Sequence, residues 1–246
     1  MSRERLDQVL VKRGLAATRA RAADAIRRGE VIVEGRVETK PGALVAEAAV
    51  IAVDDPASAW VSRAALKLVG ALDAFNLSPR DRECLDVGAS TGGFTQVLLA
   101  RGARRVTAID VGHGQLAPAV ASDPRVVAIE GLNARDLNAD HLPAPPDFVV
   151  ADVSFISLAL ALPPALDLAA PGAIGVFLVK PQFEVGREHV GKGGIVRDEA
   201  QADAAVERIA ALLAGHGWAT IGRAAAAIAG GDGNREHVLA ARKAGG

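Results

Sequence analysis

Five short, mainly apolar runs constrain this chain more than any other feature: Cys84–Val87, Val106–Asp110, Val126–Glu130, Phe148–Asp152 and Ile174–Lys180. Each is long enough for a strand and too short for a buried helix. Between and after them lie stretches with helical spacing near Phe94–Arg101, Ser157–Ala169 and Glu199–Ala214. Runs that are apolar on both faces and alternate with helices need a sheet covered on both sides, which is the α/β arrangement with parallel strands. The tail breaks the alternation: Ala219–Ile228 and His237–Ala241 leave no room for a helix between them. They are expected as an antiparallel pair at the sheet edge.

The first 55 residues have a different grammar. Leu6, Val9 and Leu10 follow helical spacing, with Gly14 as a stop. Thr18 can cap a second helix that runs through Ala22, Ala23 and Ile26 to Gly29. Val31–Val33 reads as a strand, Glu34-Gly35 as a turn, Val37 as the start of a return strand and Val50–Val53 as another strand. The expected division is a small α+β module over 1–55, a linker over 56–62 and the α/β body over 63–246. Ser62 is placed to cap a helix carrying Ala65, Leu66, Leu68, Val69 and Leu72.

Charge is unevenly spread along the chain. The net charge is −1, yet the first forty residues carry ten basic and six acidic side chains. An arginine-rich end on a slightly acidic body suits contact with a polyanion. Arg3, Arg5, Arg19, Arg21, Arg27 and Arg28 are the candidate contacts to such a polyanion, through phosphates and shape. The alternative is a solvated helical face.

Several classes are excluded. With 50% hydrophobic and 23% charged residues, the chain is not disordered as a whole. A single cysteine, Cys84, rules out a disulfide framework and a four-cysteine zinc site and fits a reducing cytoplasm. The five histidines show no ligand-like spacing, so no metal is expected. Met1 to Arg5 has no apolar leader, and the uncharged stretch Val153–Leu166 contains Pro163-Pro164 and falls short of the ~18–20 residues of a spanning helix. The expectation is a cytoplasmic protein with no membrane contact and no obligate protein partner.

The chemistry-bearing motifs sit at element ends. Asp86-Val-Gly88-Ala89-Ser90-Thr91-Gly92-Gly93-Phe94 follows the first run and opens a helix. Glycines there let a ligand approach the backbone, and the helix start offers free N–H groups. No basic residue lies in the loop and no Gly-Lys-Ser/Thr follows, so it is not a Walker phosphate loop. Asp110, closing the next run, can accept from both hydroxyls of an adenosine ribose. Lacking a charged diphosphate contact, the loop suits S-adenosylmethionine over NAD, with Asp86 placed for the amino group of its methionine part. Asn133 and Asp136 follow the third run, where an adenine would lie; alternatively Asn133 caps a short helix. Lys67, Asp152, Lys180 and Glu236 also stand at element ends around the crevice. A lysine closing an apolar run is partly desolvated, and desolvation with a nearby cation lowers a lysine's pKa from about 10.4.

Together these segments resemble the TlyA family of ribosomal RNA 2′-O-methyltransferases, often labelled haemolysins. The resemblance is carried by Trp60-Val-Ser-Arg-Ala-Ala-Leu-Lys67-Leu, the glycine loop, Asp110-Val-Gly-His-Gly-Gln-Leu116, Asp152-Val-Ser-Phe-Ile-Ser-Leu158, Lys180-Pro-Gln-Phe-Glu184 and Gly233-Asn-Arg-Glu236-His. Residues 2–53 resemble the S4-like RNA-binding domain of that family. The resemblance implies a Rossmann-like methyltransferase sheet with an antiparallel last strand, and it implies that Lys67, Asp152, Lys180 and Glu236 form the catalytic tetrad of FtsJ-like enzymes. It also implies ribosomal RNA as partner, methylated on a cytidine ribose of the large subunit. The short ends make the chain look like the members that modify that subunit only. Lys180 is then the expected proton acceptor, with Lys67 and Asp152 orienting it and Glu236 fixing Lys67.

The residues leave rival readings open. Pyrimidine C5 methylation needs a cysteine nucleophile, and Cys84 is expected in a buried strand. Exocyclic-amine methylation favours a proline-rich loop after the fourth strand, where this chain has Asp152-Val-Ser-Phe155. Outside methylation, the rivals are an RNA-binding protein with an inactive methyltransferase body and a membrane-active haemolysin. Phe155 is expected in the core, or else stacked on a base. Trp60 is expected to pack, or else to stack. Residues 184–197, with four glycines, form a flap or a passive connection.

Overall fold

A computed structural model describes residues 3–245. The chain falls into two compact units, one ending at Ala59 and the other starting at Trp60. Each has a core of its own.

The smaller unit contains β1 (Arg3–Arg5), α1 (Leu6–Lys12), α2 (Arg19–Arg28), β2 (Val31–Val33), β3 (Arg36–Val37), β4 (Leu44–Ala46) and β5 (Ile51–Val53). Both ends of α2 follow the sequence signals: the Thr18 hydroxyl accepts from the Arg21 N–H, and Gly29 closes the helix at φ 82°, a left-handed position that favours glycine. Leu6, Val9 and Leu10 of α1 meet Ala22, Ala25 and Ile26 of α2 over the buried Val31. Strand β2 pairs antiparallel with β3 and β5. The pairing of β1 with β4 was not legible in the sequence. Arg3-Glu4-Arg5 has no apolar alternation, and it becomes a strand only because Leu44–Ala46 offers backbone partners.

The larger unit contains α3 (Ala65–Ala74), β6 (Glu83–Val87), α4 (Gly93–Ala100), β7 (Arg105–Asp110), α5 (Pro118–Ala121), β8 (Val126–Glu130), β9 (Phe148–Ala151), α6 (Leu158–Ala161), α7 (Pro163–Leu168), β10 (Ile174–Val179), α8 (Pro181–Glu184), α9 (Glu199–Gly215), β11 (Trp218–Ala225) and β12 (His237–Lys243). The seven strands are ordered β11-β12-β10-β9-β6-β7-β8. The five apolar runs form the parallel part, and β12 lies antiparallel between β10 and β11. Successive strand residues face opposite sides: Phe148 and Val150 join one apolar layer with Leu68, Leu72, Val97 and Leu98 of α3 and α4, while Val149 and Ala151 join the other with Leu158, Leu166, Ile209 and Leu213. Covering on both faces is what the unbroken apolar runs demanded.

Two boundaries differ from expectation. The helix expected over Ser157–Ala169 is split into α6 and α7, because Pro163 lacks an N–H and starts a new helix instead of continuing the old one. The last pair is shifted: β11 ends at Ala225, and β12 continues to Lys243.

Candidate active site

Strand register sets the site. Ala151 of β9 lies level with Phe177 of β10 and Val87 of β6, so Asp152, Lys180 and the glycine loop emerge at the same end of the sheet. His237 of β12 pairs with Val179, which brings Glu236 beside Lys180 although the two are far apart in sequence.

The glycine loop is shaped by close backbone contact. Gly88 has φ 84°, and a Cβ there would stand 2.9 Å from the backbone oxygen of Asp152. Gly92, at φ 91°, precedes α4, and a Cβ there would meet Leu116 Cδ1 at 2.7 Å. Asp110 ties the loop down: its two oxygens accept from the Ser90 N–H at 2.8 Å and the Gly112 N–H at 2.7 Å. Each oxygen keeps a further lone-pair direction for a ligand hydroxyl.

Two cavities open here. The larger, about 490 Å³, is bordered by Gly88, Asp110, Gln115, Asn133, Asp152 and Phe155, among others, and has no lysine or arginine in its wall. The smaller, about 150 Å³, lies against Ala89, Thr91, Gly93, Phe94, Ser154 and Lys180. Ser90 and Asp152 border both.

The four ionisable residues form two ion pairs. Lys67 of α3 donates to Glu236 at 2.5 Å, with side chains only 6% and 3% exposed. Lys180 stands 2.6 Å from Asp152 Oδ1, with side chains 10% and 13% exposed, and donates to Ser154 Oγ at 2.8 Å. Each lysine thus has a carboxylate of its own, Glu236 beside Lys67 and Asp152 beside Lys180.

Some expected site residues lie elsewhere. Asp86 is fully buried and borders neither cavity. Its Oδ2 accepts from the Thr95 hydroxyl at 2.6 Å, and its Oδ1 has no partner among the described residues. Burial pushes this carboxyl up to about 7, against the lowering effect of Thr95, with Asp152 adding to the rise. A position on the cofactor's amino group is thus replaced by one supporting α4. Asn133 accepts from the Arg135 N–H at 3.1 Å, capping the 3₁₀ turn Ala134–Asp136, and it also borders the larger cavity. That turn leaves Asp136 exposed and outside the cavity wall, which corrects its expected contact with an adenine.

Phe155 is not in the core. It takes φ 66° and is 92% exposed, with its ring 5.4 Å from that of Phe183. Val153 is the buried anchor of that segment, and the left-handed turn two residues later throws Phe155 outward. Trp60 packs on the apolar layer of its own unit that contains Phe94 and Leu68. Cys84 is buried, and burial pushes its thiol up, which leaves no nucleophile there.

Residues 184–197 are fastened at both ends. Glu184 accepts from the Ser157 hydroxyl at 2.6 Å and the Leu158 N–H at 2.8 Å. Asn234, 1% exposed, accepts from the Val196 N–H at 2.9 Å and donates to the Gly194 oxygen at 2.8 Å. The sequence reading missed these roles of Asn234, Ser154 and Gln115. A polar residue inside a chemistry-bearing motif was the available signal.

The six N-terminal arginines divide. Arg28 is 12% exposed and ion-paired with Asp24, Glu30 and Asp55. Arg5 and Arg19 share Asp7, at 3.0 and 3.1 Å, and the Arg5 hydrogen bond leads in holding that carboxyl down at about 2. Arg21 donates to the Ala57 oxygen. Arg3 and Arg27 are exposed. Among the described residues no cluster of three or more His, Cys, Asp or Glu side chains could hold a metal, and no helix is long and apolar enough to cross a membrane.

A family model described as FtsJ-like methyltransferase matches residues 60–243. The chain belongs to the FtsJ-like methyltransferase family. An S4 domain model matches residues 4–51 of the methyltransferase. Over 238 residues the methyltransferase is 48% identical to the 16S/23S rRNA (cytidine-2′-O)-methyltransferase TlyA of Mycobacterium tuberculosis, a match covering 96% of this chain and 89% of the relative. It is 35% identical to the 23S rRNA (cytidine-2′-O)-methyltransferase TlyA of Campylobacter jejuni, over 72% of this chain and 69% of that one. A solved structure from Streptococcus thermophilus, named as a candidate hemolysin, superposes with a TM-score of 0.77 at 39% identity, covering 99% of this chain and 90% of that one. At the level of fold alone, a structure from Listeria monocytogenes named as a candidate S-adenosylmethionine-dependent methyltransferase is similar at TM-score 0.55 and 14% identity, covering 73% of this chain and 97% of that one.

Proposed function

We propose that the methyltransferase transfers a methyl group from S-adenosylmethionine to the ribose 2′-hydroxyl of a cytidine in ribosomal RNA, with the large subunit as target. The observation that carries this reading is the Lys180–Asp152 pair on the wall of a cavity continuous in its lining with the glycine loop. The relatives named above, cytidine-2′-O-methyltransferases, support the substrate class.

The larger cavity fits a cationic nucleoside better than a diphosphate. Its wall offers the carboxylates of Asp110 and Asp152, apolar surface from Ile109, Val111 and Ile156, and no cationic side chain. Gly88, Ala89, Ser90, Thr91, Gly93 and Phe94 would line the cofactor's path, and Asp110 and Asn133 would hold its ribose and base ends. When bound, S-adenosylmethionine supplies a methyl on a sulfonium, which leaves as a neutral thioether.

The chain's own part is positioning and proton transfer. In its neutral form, after losing a proton to solvent, Lys180 Nζ takes the 2′-hydroxyl proton: the O–H bond breaks, an N–H bond forms, and the freed oxygen pair takes the methyl as its bond to sulfur breaks. Asp152 faces the charge that develops on Nζ. The Lys67–Glu236 pair holds β12 against α3 and closes that side to water. Phe155, exposed beside the larger cavity, is placed to stack on the target base. Positioning of this kind is worth up to about 7–11 kcal/mol in well-aligned cases.

RNA would be gathered by residues 1–55, joined through 56–62 to the catalytic body over 63–246. Arg3, Arg5, Arg19, Arg21 and Arg27 are the phosphate contacts, with Arg28 as their scaffold. A ribosomal substrate places the reaction in the cytoplasm. The test is incorporation of tritiated methyl into isolated large and small subunits, followed by mapping of the product. Label in a cytidine 2′-O-methyl of large-subunit RNA is expected; label on a base, or none, overturns the reading.

A further inference from the structure

The proposed reaction needs the Lys180 amine aimed at a ribose oxygen, and it has two close neighbours, one a hydrogen-bond acceptor and one a charge. Nζ stands 2.6 Å from Asp152 Oδ1 and donates to Ser154 Oγ at 2.8 Å. An amine nitrogen is tetrahedral. Ser154 Oγ takes one of its positions as a hydrogen bond, whereas Asp152 Oδ1 is close by charge but accepts no hydrogen bond, so the Ser154 contact is the one that sets direction.

The two contacts pull differently. Asp152 is mostly covered and directly follows β9, so it draws the amine toward the sheet. Ser154 is exposed and borders both cavities, so it draws the amine toward open space. Ser154 itself is held between the buried Val153 and the left-handed Phe155, on a turn with little freedom. Lys180 is held from the other side by Pro181, which starts α8 with a fixed φ.

We infer that Ser154 is the positioning residue that presents the Lys180 amine to the ribose hydroxyl. Its hydroxyl oxygen accepts one N–H of Lys180 and so fixes where the reacting position of Nζ points. Among the described residues its own proton has no acceptor, so the oxygen is not drawn away from Lys180 by a competing partner. This inference rests on the proposed function.

The experiment uses the full chain with ribosomal subunits and S-adenosylmethionine, comparing wild type with Ser154→Ala and Ser154→Thr. Steady-state methyl transfer gives kcat and KM for RNA, and calorimetry gives the cofactor's Kd without turnover. Misaimed reacting groups lower kcat and leave binding in place, so Ser154→Ala is expected to lose about 10- to 100-fold in kcat with Kd and KM within about threefold. Ser154→Thr keeps the oxygen and is expected to retain most of the rate. An Ala variant within about twofold of wild type in kcat overturns the inference. Equal loss in Ala and Thr, or loss of cofactor affinity at unchanged kcat, overturns it as well. These results with an active wild type leave the proposed function standing, whereas a wild type that methylates no ribose removes both.

Discussion

The two ion pairs of the site share a chemistry and differ in access. Lys67 and Glu236 are sealed between α3 and β12, with almost none of either side chain open to water. Lys180 and Asp152 line the smaller cavity, Asp152 the larger one as well, and Lys180 has a second, neutral partner in Ser154. A sealed pair can fix architecture but cannot meet a substrate. A pair at a cavity wall can exchange a proton, and it is less costly to lose because water can replace the missing charge. In the proposed mechanism the same motif type divides into a structural half and a reactive half, and cavity contact together with the Ser154 partner makes the division.

The largest expected effect is on the reactive half. Lys180→Ala should lower methyl transfer by about 10³-fold while leaving cofactor binding in place. Turnover retained in that variant would remove Lys180 from the mechanism. On the sealed half the main loss should be stability: Glu236→Ala leaves a buried ammonium without a partner, at a cost of about 3–5 kcal/mol in urea unfolding. If Glu236→Ala and Asp152→Ala destabilise equally, the division is wrong.

Asp86 sharpens the comparison as a buried carboxylate held by a neutral hydroxyl. It gives up its proton near the ordinary 3.8 when unfolded and at about 7 when folded. Folding therefore takes up a proton between those values, and this group's contribution falls as pH rises from about 4 to 7, then levels off. The loss should amount to a few kcal/mol, measured by urea titrations at several pH values, and Asp86→Asn should flatten that part of the curve. The smallest effects concern the arginines. Arg28→Ala should cost about 1–2 kcal/mol of stability through its three carboxylate partners, whereas Arg27→Ala should leave stability unchanged and weaken RNA binding only slightly, by one phosphate contact in the salt dependence.

The parallel core was readable because its period is local: each apolar run announces a strand covered on both faces, and Thr18 and Gly29 announce the ends of α2. The pairing of β1 with β4 was not, since Arg3-Glu4-Arg5 carries no pattern and its partner lies some forty residues away. Among the site residues, the four charges and the glycine loop were visible as a motif. The placements of Asp86, Asp136 and Phe155 were misread, because a residue's number along a strand end does not say whether the next turn buries it, carries it off or throws it outward.

What the sequence determined alone was the order of strands and helices and the set of groups available for chemistry, since both depend on neighbours within a few positions. Which carboxylate meets which lysine was decided only by the antiparallel return of β12 beside β10, a contact between residues far apart in the chain. Solvent access was decided the same way, by how α3 and the turn after β9 close over the sheet end. Distance along the chain carries no information about either.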